Sequence, residues 1–596
     1  VPDTTAGAPP LTPLSLRVLL GRIAREWETR RRIFDLPTGR FWAPEGDVDL
    51  GFTFLGRPAA TPIGPAAGPH TQMAQNIVLA WLGGARLFEL KTVQVLDDLE
   101  IHRPCIDMET VGYNIEWSQE LRIPRSLEEY VKAWMIIAIL RHWGPLVPHL
   151  GGDPGPHVFD MSVGYDLAGI SGEKVSGFIA AMQDAGAIID RLRRDLPEPF
   201  TALADLDFPT RIADTVTLST FHGCPPDEIE AITRHLMDRF DLDVIVKLNP
   251  TLLGQERVDA ILHDVLGYEE VELLPEAFAA DLHMERALDL IGGLRDHARE
   301  RGRRFGIKLT NTLVVANHKG WLPDDPMYLS GPPLHVVAAT LLRELARRLP
   351  GVFRLPGHGG DVQVSFSAGV TRENLADTLA MGVAPATVCT DLLKPGGYGR
   401  LAPMLRTLAG ELRAVGARDL EEWRRHRHEA SRAAGYEDAI DDHVMGMIDG
   451  DERFRYHRDG HAAGPRRVDR PLETWGCVAC NLCVTVCPND AIVKVPTPDH
   501  LREELGGRWQ YLVFVELCNE CGNCLMFCPQ DGDPAKVKPR MFLDPERFAV
   551  ATGPRFLVEG PERLVFRDAA GDPEGRATMA AVAGVPSGVP LRPGDL

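Results

Sequence analysis

Cys477-Val-Ala-Cys480-Asn-Leu-Cys483-Val-Thr-Val-Cys487-Pro488 returns further on as Cys518-Asn-Glu-Cys521-Gly-Asn-Cys524-Leu-Met-Phe-Cys528-Pro529. Each run reads C-x2-C-x2-C-x3-C-P, a spacing suited to cubane iron–sulfur clusters. Three thiolates in one tight loop wrap three irons of a [4Fe–4S] cubane. The fourth, at the start of a short helix, reaches across to the other cubane. The spacing therefore assigns Cys477, Cys480, Cys483 and Cys528 to one cluster and Cys518, Cys521, Cys524 and Cys487 to the other. Two zinc sites would want four ligands each but would not repeat a proline after the fourth cysteine.

Working outward, these eight belong to a total of 11 cysteines, the others being the scattered Cys105, Cys224 and Cys389. A disulfide framework suits small secreted domains, whereas this chain has 596 residues and predicts two or three domains. Hydrophobic residues make up 44% and charged residues 25%, a globular balance. Asp and Glu (84) exceed Lys and Arg (64), for a formal net charge of −20. So acidic a chain is poorly suited to phosphate backbones, and no nucleic-acid partner is expected. The longest apolar runs, such as Met135–Leu140, are far short of a bilayer span, so no membrane partner is expected. The opening Val1-Pro-Asp-Thr-Thr has no positive stretch leading into an apolar one. A cytoplasmic location is the expectation.

N-terminal to the cysteines, short β-branched runs alternate with longer helical stretches. Strands are expected at Thr61–Ala66, Leu87–Val93, Val158–Val163, Thr215–Thr220, Val244–Leu248, Gly306–Thr310, Val362–Phe366 and Ala386–Thr390. Eight βα-like units over about 350 residues predict an α/β chain built on a (β/α)8 TIM barrel with insertions. The boundaries read as an N-terminal helical extension over 1–50, the barrel over 51–400 and a helical bridge over 401–470. A bacterial-type 2[4Fe–4S] ferredoxin domain follows over 471–545, with a C-terminal extension over 546–596. No G-x-G-x-x-G follows a strand and opens a helix, so no dinucleotide fold is evident. Electrons are expected to come from, or go to, another protein.

Chemistry in such a barrel sits at the C-terminal strand ends. Gly64-Pro-Ala-Ala67-Gly68 follows the first strand, with residues small enough for a flat ligand to approach the backbone. The second ends in Glu89-Leu-Lys91-Thr92. Tyr113-Asn114-Ile-Glu116-Trp-Ser118 forms a polar loop, and the fourth strand runs into His222-Gly-Cys224-Pro-Pro226. The remaining ends are Val246-Lys247-Leu-Asn249-Pro250, Thr310-Asn311-Thr312, Ser365-Phe-Ser367-Ala-Gly369 and Cys389-Thr390, the last followed by Gly396-Gly397. A lysine in a barrel mouth is costly to desolvate unless an anion faces it. Reduced flavin is such an anion, so Lys91 and Lys247 point to FMN. Small and hydroxyl residues after the last two strands suit its phosphate.

The ordered series Ala-Ala-Gly, Lys-Thr, Cys-Pro, Val-Lys-Leu-x-Pro, Thr-Asn-Thr, Ser-Ala-Gly and the closing Thr resembles the FMN barrel of dihydroorotate and dihydropyrimidine dehydrogenases. Asn114-Ile-Glu116-x-x-Ser118 is similar to the dihydropyrimidine dehydrogenase version, an enzyme that also fuses its barrel to a two-cluster ferredoxin module. Val388-Cys-Thr-Asp-Leu-Leu-Lys-Pro-Gly-Gly-Tyr-Gly-Arg400 is closer still to the selenate reductase flavoproteins, a branch of this superfamily. The resemblance implies Lys91, Thr92, Lys247, Ser367, Gly369 and Thr390 around FMN. Ala67, Gly68, Thr312 and Gly397 at the other strand ends complete the expected set. Asn114, Glu116 and Asn311 would face the substrate. Cys224 matches the loop cysteine that exchanges a proton at the carbon opposite the one trading hydride with flavin.

Cys224 also precedes Pro225-Pro226-Asp227-Glu228, a helix start. A helix N-terminus is expected to lower its thiol pKa, and His222 is an equally good acid. Phe221 and Gly223 stand where the pyrimidine enzymes have Asn and Ser, which removes a hydroxyl and argues for a different heterocycle. The function expected is an FMN- and iron–sulfur-dependent oxidoreductase subunit reducing a C=C or C=N bond of a small heterocyclic substrate. It would take electrons from a ferredoxin or a separate FAD/NAD(P)H subunit, as part of a homo- or hetero-oligomer. Two alternatives stay open: a dehydrogenase running in reverse, and a non-catalytic wiring scaffold for a molybdenum-containing reductase.

Overall fold

The computed structural model describes residues 11–96, 101–115, 119–220, 223–560, 563–567 and 575–578. Eight parallel strands form one sheet: β1 (Ile63–Pro65), β2 (Leu87–Glu89), β3 (Val158–Val163), β4 (Thr215–Ser219), β5 (Asp243–Leu248), β6 (Phe305–Leu309), β7 (Gln363–Phe366) and β8 (Ala386–Val388). Each pairs with its sequence neighbour from β2 through β8, and β8 returns to β1 at Ala386↔Ile63. The gap between β1 and β2 is bridged where the Arg86 amide donates to the Ile63 carbonyl at 3.1 Å. The eight strands fall where their β-branched, turn-bounded runs predict, with Asp243-Val-Ile-Val-Lys-Leu248 buried along nearly its whole length as a parallel strand requires.

The intervening helices follow the 3.6-residue period. In Pro226–Phe240, proline opens the first turn and Ile229, Ile232, Thr233, Leu236 and Met237 face the core. Over the barrel mouth lies a small sheet of Ile106–Asp107, Tyr113–Asn114, Leu313–Val315 and Met327–Leu329. It brings the long loop after β2 and the loop after β6 together above the strand ends.

The helix Leu16–Arg30 is capped by Ser15, whose Oγ accepts from the Val18 amide. Beyond β8, helices Leu401–Ala414, Leu420–Ala433 and Ala439–Ile448 pack on the barrel wall. Arg424 donates to the Leu379 and Val383 carbonyls there, at 2.9 and 2.8 Å. The cysteine-rich region carries a sheet of β9 (Ile492–Pro496), β10 (Trp509–Phe514) and β11 (Arg540–Phe542). It is extended by β12 (Arg555–Gly560), β13 (Arg563–Arg567) and β14 (Gly575–Thr578). No helix among the described residues is long and apolar enough to cross a membrane.

Candidate functional site

The strand ends enclose a cavity of about 790 Å³ under the small sheet. Ala67, Gly68, Lys91, Thr92, Lys247, Thr312, Ser367, Gly369 and Thr390 all line it, as do Asn114 and Asn311. Secondary contacts fix several of these. Thr92 Oγ1 is 2.8 Å from Ser162 Oγ, and Thr390 Oγ1 is 3.0 Å from Ser330 Oγ. Asn311 Nδ2 donates to the Thr220 carbonyl (3.0 Å) and Asn249 Oδ1 (2.7 Å), which commits both amide hydrogens and leaves Oδ1 as an acceptor.

Charge in the cavity floor is unbalanced. Lys308 on β6 is paired with the buried Glu89 and donates to Thr387 Oγ1 at 2.9 Å. Burial alone would raise the Glu89 pKa, yet Lys308 and Lys247 hold it below the usual carboxylate range. Burial lowers the Lys247 pKa, partly offset by Glu89. The other carboxyl of the floor, Asp160, accepts hydroxyls from Thr215 and Thr217 at 2.6 Å each, and burial pushes it up to about 7. Lys247 and Lys308 thus share one committed carboxylate, Glu89, an arrangement that fits an anionic ligand.

Two further features suit FMN. Gly369 adopts φ +53°, and a Cβ there would lie 2.3 Å from the Gly331 carbonyl, so only glycine keeps that part of the wall open. Thr310 Oγ1, also on the wall, is buried and has no hydrogen-bond partner.

Several expectations need correction or lie elsewhere. Gly397 is not on the cavity wall. A Cβ there would sit 2.1 Å from the Thr485 carbonyl, so this glycine permits close approach of the cysteine-rich region instead. Cys224 is buried beside the loop after β4 and is not among the wall residues. Its thiol pKa is not lowered by the helix start: burial, with Glu228 and Asp281 adding repulsion, pushes it up to about 12. His222 and Glu116 lie outside the described residues. Among residues the sequence reading passed over, Lys308 was hidden because it lies inside a strand and not at its end. Cys389 lines the cavity within reach of Gly68, and burial lifts its thiol to about 11 against the pull of Lys91 and Lys247.

The thiols gather in two sets. Cys483 is raised by burial and by Cys480, Cys477 and Cys528. Cys524 is raised by burial, then by Asp533, Cys518, Cys521 and Cys487. These are the crossed sets expected from the spacing. Ala479, Asn481, Glu520 and Gly522 take left-handed conformations, which turn successive N–H groups inward as an anionic cluster requires. The set containing Cys480 is the outer one, with Val478 44% exposed and Cys480 itself exposed.

The inner set sits against the cavity wall. The Cys105 and Ile106 amides both donate to the Cys521 carbonyl at 3.1 Å. Tyr398 donates to the Pro488 carbonyl at 2.7 Å, and Asn523 Nδ2 to that of Leu393, a wall residue, at 2.8 Å.

The family described as "Oxidoreductase YgfK, N-terminal TIM-barrel domain" matches residues 34–437. The chain belongs to this family. A 4Fe-4S dicluster domain matches residues 476–532, so a YgfK-type barrel is joined here to a dicluster domain. YgfK of Escherichia coli strain K12 is 41% identical over 419 residues, covering 67% of this chain and 39% of the relative. The values for strain O157:H7 are the same. The chain thus spans about two-fifths of the length of the curated relatives it matches. Ligand-free DHODH from Eimeria tenella aligns with TM-score 0.38 and 16% identity, over 64% of this chain and 93% of that one. Its complex with ferulenol gives the same TM-score and identity over 90% of that chain.

Proposed function

We propose that this chain is an FMN- and iron–sulfur-dependent oxidoreductase subunit that reduces a polarised C=C or C=N bond in a small heterocyclic substrate. The observation that carries the proposal is the cavity floor, where Lys247 and Lys308 share one committed carboxylate, Glu89. When bound, FMN supplies a two-electron store able to release hydride, and the clusters supply single-electron relay. Lys91 and Lys247 would answer the cofactor's negative charge, and Ala67, Gly68 and Thr92 would leave room for a flat ring beside the backbone. Ser367, Gly369, Thr312 and Thr390 would hold its phosphate. Asn114 and Asn311, with Glu116, hold the substrate. His222, or Cys224, which lies beside the loop after β4 and off the cavity wall, would supply the proton to the substrate. With its pKa pushed up to about 12, the Cys224 thiol stays protonated at neutral pH and is a weak acid there.

The inner thiol set, Cys518, Cys521, Cys524 and Cys487, adjoins the cavity, and the outer set, Cys477, Cys480, Cys483 and Cys528, reaches solvent at Cys480. A separate donor, a ferredoxin or an FAD/NAD(P)H subunit, would deliver electrons at the outer set. The Val388–Arg400 stretch supports kinship with the selenate reductase flavoprotein branch. The test is to reduce the anaerobic protein and offer a panel of unsaturated heterocycles. The proposal predicts reoxidation by at least one of them, with reoxidation lost in Lys247→Met. Reoxidation by oxygen alone would count against it.

A further inference from the structure

Lys538 follows the short helix Pro534–Val537 and is 3% exposed. Its Nζ reaches three carbonyls: Glu473 at 2.7 Å, Gly476 at 3.0 Å and Thr474 at 3.4 Å. A neutral amine has two N–H groups, so meeting three acceptors takes the ammonium form. All three carbonyls belong to the turn that leads into Cys477. Burial lowers the Lys538 pKa, and the groups acting against that are, in order, Cys477, Cys483, Cys528 and Glu473. The charges that answer this ammonium are therefore mainly thiols of the outer set.

Among the described residues, the cations near the inner set are matched or less buried. Arg103 donates to Cys105 Sγ at 2.6 Å and is ion-paired with Glu120 at 2.7 Å, so its charge is already matched. Arg540 is half-buried and answers Glu520 before Cys518. One-electron reduction adds a negative charge to a cluster whose thiolates are negative already. A fixed, water-excluded cation next to it stabilises the added electron, and no proton has to move.

We propose that Lys538 is the buried charge that raises the reduction potential of the outer cluster, making that cluster the acceptor for an electron donated by a protein partner. The proposal rests on the cluster assignment given under the proposed function. Lys538 acts through the cluster and is a positioning residue, not a catalytic one.

The test uses the full chain, purified anaerobically, with iron assayed and potentiometric titration followed by electron paramagnetic resonance. Lys538→Arg, Lys538→Gln and Lys538→Met are compared, and Cys480→Ser marks which reduction step belongs to the outer cluster. In the Gln and Met variants, the outer step is expected to fall. Its reduced-to-oxidised ratio at the wild-type midpoint drops at least tenfold, about 59 mV for a one-electron couple. The inner step stays in place, and the Arg variant keeps both. With full iron, an unmoved outer step, or a shift confined to the inner step, overturns the proposal. Loss of iron in both neutral variants also overturns it, because it assigns Lys538 to holding the turn. Wild-type protein with far fewer than about eight irons would instead sink the cluster assignment.

Discussion

Asn76 Nδ2 donates to Asn489 Oδ1 at 3.0 Å, and the same amide nitrogen donates to the Pro69 carbonyl at 2.7 Å. One buried side chain therefore joins the cavity wall, where Pro69 lies, to the loop two residues past Cys487. Both hydrogens of the amide are used. Asn76→Leu keeps the volume but strands two buried acceptors, at about 1–3 kcal/mol each. The variant is expected to retain iron and flavin yet to unfold at lower denaturant and to pass electrons from clusters to flavin more slowly. Stopped-flow absorbance would measure this, and an unchanged rate would show that the junction is not set by this bridge.

Lys247 and Lys308 are both on the floor but should fail differently. Lys247→Met removes charge facing the cavity and is expected to weaken FMN binding at least tenfold, about 1.4 kcal/mol, with little change in stability. Lys308→Met strands the buried Glu89 and is expected to cost about 3–5 kcal/mol of stability. Adding Glu89→Gln to Lys308→Met should restore most of it. Flavin fluorescence titration and urea unfolding separate the two effects.

The barrel strands were legible because parallel strands buried on both faces read as short apolar runs, β-branched in Val216-Thr217 and Val244-Ile-Val246, between turn residues. The small sheet over the mouth was not. Its strands, such as Tyr113–Asn114, are two or three residues long and carry no period. The helix-start reading at Cys224 was sound, since Pro226 does open a helix, but its electrostatic consequence was not. Burial outweighs the helix end, Glu228 in the first turn of that helix adds repulsion, and Asp281 comes into range only through the fold. Gly397 was read as a strand-end glycine for the ligand, whereas the close neighbour that requires it, Thr485, is far away in sequence.

Asp160 gives a pH signature. Its pKa rises from the ordinary 3.8 to about 7 in the folded chain, chiefly by burial. Between those values the folded state holds a proton that the unfolded state has released, so stability falls as pH rises from about 4 to about 7. The full effect is about 4 kcal/mol at most. Asp160→Asn should flatten this part of the profile. Urea unfolding at pH 5 and pH 8 for both proteins checks it, and equal slopes would refute it.

Cys224, with its thiol pushed up to about 12, should resist alkylation at neutral pH and put no ionisation limb on turnover across the neutral range. Cys224→Ala is expected to lower turnover by about 10²-fold or more, with cofactor content unchanged. If the variant turns over normally, the proton comes from elsewhere, with His222 the next candidate.

The most direct measurement is cofactor content: anaerobic purification, flavin extraction with identification, and iron counted per chain. The account predicts one FMN and about eight irons, with the flavin lost in Lys247→Met and the iron retained. Eight irons with no flavin in the wild-type protein would contradict the cavity chemistry and leave a chain that only relays electrons.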